Sequence, residues 1–168
     1  SNGSLTCDSC QADDLRLATK NGTVKIYGGR FGEGKASTTN SSVRAYDLEV
    51  ERSLRLDSNN GSIRVEDATM ESLEAITSNA TVKFYNVKTA TLVGKSTNGA
   101  IRAEDVTGDD ITLTTTNGSV KGTICAPRSA YTVISSTDGS NNLTNGGSGD
   151  KKLTVTTTNS SIKFEFVG

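Results

Sequence analysis

The sequence predicts an all-β fold, a single-stranded β-solenoid (β-helix) of about eight coils. Each coil has roughly 19 residues and two short strands. Three observations predict it. A Thr-rich, Asn-Gly phrase such as TTTNGSVK (114–121) recurs along the chain. Apolar residues alternate at spacing two on both sides of that phrase. The same residue type returns to the same place in each period.

The period is read from the turn residue: Asn2, Asn21, Asn40, Asn60, Asn79, Asn98, Asn117, Asp138 and Asn159. The intervals are 19, 19, 20, 19, 19, 19, 21 and 21. A small residue always follows. A tight bend with positive φ would favour Asn-Gly, although Ser41, Ala80 and Ser160 show that some coils do without glycine. Three residues after the turn stand Leu5, Val24, Val43, Ile63, Val82, Ile101, Val120 and Ile162, with a break at Asn141. Five after it stand Cys7, Ile26, Ala45, Val65, Phe84, Ala103, Gly122, Leu143 and Phe164. Leu15, Leu54, Leu73, Leu92, Ile111 and Leu153 stand six before it, and Leu17, Leu56, Leu113 and Val155 four before. Spacing by two gives each strand one buried face. Stacking the coils puts like on like, and aligned Asn side chains can hydrogen-bond along the stack. Eight coils at ~4.8 Å per rung make a rod ~40 Å long.

The regularity frays in places. Gly34 and Ala36 replace the usual leucines, which predicts a thin core in that coil. Residues 139–152 read as a flexible loop inserted before the last strand pair, and the surplus residues predict a bulge near Tyr131–Ser135. A solenoid exposes an open rung at each end unless capped. No cap precedes Ser4, so end-to-end self-association is expected there, while Phe164 and Phe166 are expected to plug the other end.

The chain of 168 residues is expected to be one repeat domain, 1–168, belonging to a longer protein. Hydrophobic residues make up 33% and aromatics 5%, enough for a thin repeated core. A net charge of −1 gives no overall attraction to nucleic acid. No apolar run approaches the ~18 residues of a membrane-spanning helix. Cys7, Cys10 and Cys125 are too few for a disulfide framework. All three fall in columns held elsewhere by apolar residues, which predicts buried, unpaired thiols and neither a redox pair nor a metal site.

The chain has no His, which removes the commonest general base and the Ser-His triads. Asp47, Asp67 and Asp105 share one outward column with Asn86. They form a spaced row, not the facing pair that glycan cleavage requires. We therefore expect no enzyme, no cofactor and no metal. Thr112, Thr114 and Thr116, like Thr154, Thr156 and Thr158, alternate outward. A continuous flat threonine lattice is not expected, because the same columns also hold Arg55, Asp57, Glu74 and Lys95.

The strongest candidate site is basic. Four residues after the turn stand Lys25, Arg44, Arg64, Lys83, Arg102, Lys121 and, after Asn142, Lys163. That is seven of the 18 basic residues in one outward column. Like charges stacked in this way repel mildly. Tyr27, Tyr46, Glu66, Tyr85 and Glu104 fill the column two residues on, where rings and carboxylates can support the cations. A bound polyanion would offset the repulsion as well. A solvated face that resists aggregation is the alternative.

The phrases TNGSVKG, TNGAIRAEDVTG and NNGSIRVEDA resemble the bacterial adhesin-like β-strand-repeat family, whose units read T-S-N-G-x-I-x-V-x-x-V-x-G. The resemblance spans roughly residues 2–166. It implies a β-solenoid on the cell surface or in the envelope, outside the cytoplasm. The expected function is a non-catalytic module that binds an extended, anionic polymer or a surface partner. The alternatives are a ligand-free structural or regulatory scaffold and, last, a glycan-active enzyme.

Overall fold

The computed structural model describes residues 2–168. Its strands are β1 Leu5–Ala18, β2 Val24–Thr38, β3 Val43–Ser58, β4 Ile63–Thr77, β5 Val82–Lys95, β6 Ile101–Val106, β7 Asp110–Thr114, β8 Val120–Ile124, β9 Tyr131–Ser136, β10 Lys151–Thr156 and β11 Ile162–Phe166. A short 3-10 turn covers Arg128–Ala130. Every pair of these strands is parallel, and eight rungs run in the order β1-β2-β3-β4-β5-β6-β8-β11. The chain is a β-solenoid. No helix among the described residues is long and apolar enough to cross a membrane.

In β1 to β5 the two strands expected in each coil are joined by a short middle segment into one bent strand. The coil therefore has three faces. The first corner falls at Ser9, Gly28, Asp47, Asp67, Asn86 and Asp105, all with φ between 48° and 55°. This left-handed conformation favours Gly, Asn and Asp. It also resets the alternation, so the inner residues on either side are three apart: Ile26 and Gly29, Ala45 and Leu48, Val65 and Ala68. The second bend carries a register shift between Val50 and Ser53 in β3, which accommodates the extra residue of the 20-residue interval.

The Asn-Gly turn is not left-handed; no residue there has positive φ. Glycine serves close approach instead. A Cβ on Gly61 would stand 1.6 Å from the Ser41 carbonyl oxygen, and one on Gly99 1.8 Å from that of Ala80. The turn Asn side chains form the expected ladder. Asn21 donates to Asn2, Asn40 to Asn21, Asn60 to Asn40 and so on to Asn117, at 2.6–2.8 Å. Inside it runs a second, buried ladder. The hydroxyls of Thr38, Ser58, Thr77, Ser96, Thr115 and Thr157 donate to the carbonyls of Gly22, Ser41, Gly61, Ala80, Gly99 and Gly118.

The core is not thin at Gly34 and Ala36. The Phe31 ring occupies that space: it is 1% exposed, and a Cβ on Gly34 would meet it at 2.6 Å. Phe84 lies over Gly94 in the same way.

Two cysteine expectations are corrected. Cys7 and Cys10 form a disulfide. Both point inward as expected, but the Ser9 corner between them brings their Cα atoms to 6.0 Å, within the reach of a disulfide. Cys125 is exposed. The seventh coil lacks a corner residue, so Ile124 pairs with Val106 and takes the inner place, leaving Cys125 outside.

The C-terminal coils are not in sequence order. After β8 the chain steps over one rung through 125–130 and lays β9 at the end of the rod. It then returns, and β10 pairs with β7 on one side and β9 on the other. Strand β11 pairs with β8, while Asn141 bridges Ile162 from its far side. Asn159 therefore donates directly to Asn117, bypassing Asp138. Residues 144–149 are tied down. Gly146 exchanges both backbone hydrogen bonds with Val133 in an antiparallel bridge over the outer edge of β9. Arg128 donates to the carbonyls of Tyr131, Thr144 and Gly146. Asn145 bonds the backbone N–H and carbonyl of Ser135. Strand β9 pairs with β10 without a bulge. Phe164 does not plug the end; it is buried one rung in, and Phe166 packs on Tyr131 with ring centroids 5.9 Å apart. At the opposite end, the outer edge of β1 pairs with no strand among the described residues.

Candidate functional site

The cations of the basic column stand in consecutive rungs on the first face. Lys25 pairs with Arg44, Arg44 with Arg64, Arg64 with Lys83, Lys83 with Arg102, and Arg102 with Lys121. Lys163 follows Lys121 directly. The sequence placed Asn142 between them; the insertion of β11 closes that gap. The ladder is therefore unbroken over seven rungs.

Each cation projects because its neighbours on the strand point inward: Val24 and Ile26 beside Lys25, Ile63 and Val65 beside Arg64, all at most 1% exposed. The column two residues on lies in register as well, with Tyr27, Tyr46, Glu66, Tyr85 and Glu104 successive. Tyr27 and Tyr46 stack at 5.3 Å between centroids. Arg64 reaches the Glu66 carboxylate at 2.7 Å and lies 4.7 Å from the Tyr85 ring centroid and 6.0 Å from that of Tyr46. The hydrogen bond to Glu66 raises its guanidinium pKa above the ordinary value, against a smaller opposing effect of burial. Arg102 pairs more loosely with Glu104, at 3.7 Å. The remaining five, Lys25, Arg44, Lys83, Lys121 and Lys163, form no ion pair among the described residues.

The other flank of the ladder was missed in the sequence. Two residues before the cations stand Thr23, Ser42, Ser62, Thr81, Ser119 and Ser161, with Ala100 in one rung. Its signal was legible: the column is small and hydroxylated in six of seven rungs. Ser42 and Ser62 hydrogen-bond across rungs at 3.2 Å. The cations thus run between a hydroxyl row and a Tyr/Glu row.

Other candidates find their places elsewhere. Asp47, Asp67, Asn86 and Asp105 are corner residues, and Asn86 donates to Asp67 at 2.6 Å. Thr112 and Thr114 lie directly beside Thr154 and Thr156, because β10 follows β7. The charged residues named from the sequence, Arg55, Asp57 and Glu74, are two or more rungs away, and only Lys95 adjoins them. The threonine rows are thus contiguous over two rungs, more than the sequence order implied. Cys125 has its sulfur 3.9 Å from an Asp105 oxygen; shielding from water and then that carboxylate raise its thiol pKa, which opposes a reactive thiolate.

No protein-family model, curated protein or solved structure matches the chain.

Proposed function

We propose that the chain is a non-catalytic binding module of a bacterial surface or envelope protein, an adhesin that lays an extended anionic polymer along its first face. The observation that carries this reading is the unbroken ladder of seven cations, five of them without a carboxylate partner. Like charges ~4.8 Å apart repel, and a polyanion along the rod offsets that repulsion. The Cys7–Cys10 disulfide supports the location, since disulfides persist mainly in oxidising compartments. The lack of any His supports the non-catalytic reading, and the aspartate row has a structural account as corner residues.

The test is binding to anionic envelope polymers at low and high salt. Wild type is compared with a combined Arg44→Glu, Arg64→Glu, Lys83→Glu and Arg102→Glu variant. Wild type is expected to bind at low salt, to weaken about tenfold or more as salt rises, and to lose binding in the folded variant. A second reading, a ligand-free scaffold, is favoured by the Arg64–Glu66 and Arg102–Glu104 pairs, which relieve the ladder internally. It takes over when neither protein binds at low salt.

A further inference from the structure

The geometry points to an acidic polysaccharide with a carboxylate on every second sugar as the polymer that this face takes; the inference rests on the binding reading above. The cation ladder is not uniform. Arg64 is hydrogen-bonded to Glu66, two residues on, and Arg102 lies within ion-pair distance of Glu104, 3.7 Å away. Between and beside them Arg44, Lys83 and Lys121 have no carboxylate partner among the described residues. From Arg44 to Lys121 the unneutralised charges therefore fall on alternate rungs, about 9.6 Å apart, whereas at the two ends Lys25 adjoins Arg44 and Lys163 adjoins Lys121. The alternate-rung spacing is roughly the length of one disaccharide. A polyphosphate or polyglycerol phosphate places its charges closer and would leave every second one over a neutral pair.

The flanks fit a polyol. The ring faces of Tyr27 and Tyr46 are turned to one another, and Arg64 packs against Tyr85, so the rings offer the ligand their edges and hydroxyls. The hydroxyls of Tyr27, Tyr46 and Tyr85 form no hydrogen bond among the described residues, whereas the buried Tyr131 hydroxyl donates to the Gly108 carbonyl. Serine and threonine hydroxyls line the other flank. A neutral sugar set over an Arg–Glu pair meets both donors and acceptors, which suits a hydroxylated ring better than a second charge. An ion-exchange surface for any polyanion needs none of these arrangements.

The experiment uses the intact chain and three probes at low salt, measured by calorimetry. A hyaluronan oligosaccharide carries an acid on alternate sugars. A polygalacturonate oligosaccharide carries one on every sugar. Linear polyphosphate carries charge without sugars. Hyaluronan is expected to bind at least about fivefold tighter than either of the others, compared at equal charge. The combined Tyr27→Phe, Tyr46→Phe and Tyr85→Phe variant keeps the rings and removes the hydroxyls. It is expected to weaken hyaluronan about tenfold and to leave polyphosphate within about twofold. Equal binding of all three probes, or an unchanged hyaluronan affinity in a folded Phe variant, overturns the polysaccharide inference and leaves the polyanion reading standing. Failure of every probe to bind overturns both.

Discussion

At the scale of single residues, the corner explains more of the sequence than the turn that first draws attention. Asp47, Asp67, Asn86 and Asp105 look like an acidic row, yet each carries a φ near 50° that few side chains accept. Gly28 and Ser9 occupy the same corner in the first coils. Asp47→Val is therefore expected to destabilise the fold by about 1–2 kcal/mol, while Asp47→Gly changes it by no more than about 0.5 kcal/mol. Urea denaturation of the two variants distinguishes the conformational account from one based on charge, under which they would behave alike. The sequence held this information as a column of Ser, Gly, Asp and Asn. It was obscured because the Asn-Gly turn offered a more familiar home for positive φ. The disulfide was hidden for the same reason: only the corner between Cys7 and Cys10 brings them together.

At the scale of the strand and its stack, two parallel ladders hold neighbouring turns, and they differ in their access to water. The Asn ladder lies in solvent, which replaces a lost partner. The inner hydroxyl ladder does not: Thr77 is 2% exposed and donates to the Gly61 carbonyl at 3.0 Å. Thr77→Val leaves that acceptor unpaired and is expected to cost about 1–3 kcal/mol, against less than about 1 kcal/mol for Asn60→Ala. Thermal or urea unfolding of the pair measures the difference. The Asn ladder was legible before the structure, because a stacked repeat places contacting residues at one fixed separation; the inner hydroxyls recur at the same separation, but their backbone carbonyl partners leave no mark in the sequence. The cation ladder, with its Tyr and Glu neighbours, was legible for the same reason.

At the scale of the whole rod, that logic fails where the chain leaves its own order. The turn phrases at Asp138 and Asn159 look consecutive, but the second stacks on Asn117 and the first lies beyond it. The traces in the sequence were slight: Asp in place of Asn at 138, and Asn141 where an aliphatic residue otherwise stands. Nothing in a fixed period distinguishes an inserted rung from an added one. The insertion makes the end cooperative. Strand β9 pairs with β10, not with β7, and the loop beyond β9 depends on β9. A chain shortened by residues 151–168 is thus expected to expose 128–150 to hydrogen exchange and protease, while β1 to β6 stay protected. Exchange mass spectrometry would show it, and protection retained in 131–136 would contradict it.

The same insertion gives the rod a mechanical character. The end strand of a simple solenoid has one neighbour and can be peeled away rung by rung. Here tension applied through Gly168 acts on β11, which is bonded to β8 on one side and to 140–142 on the other. It then reaches β10, gripped between β7 and β9. Two rows of hydrogen bonds must yield at each step, so the C-terminal end is built to resist being pulled apart.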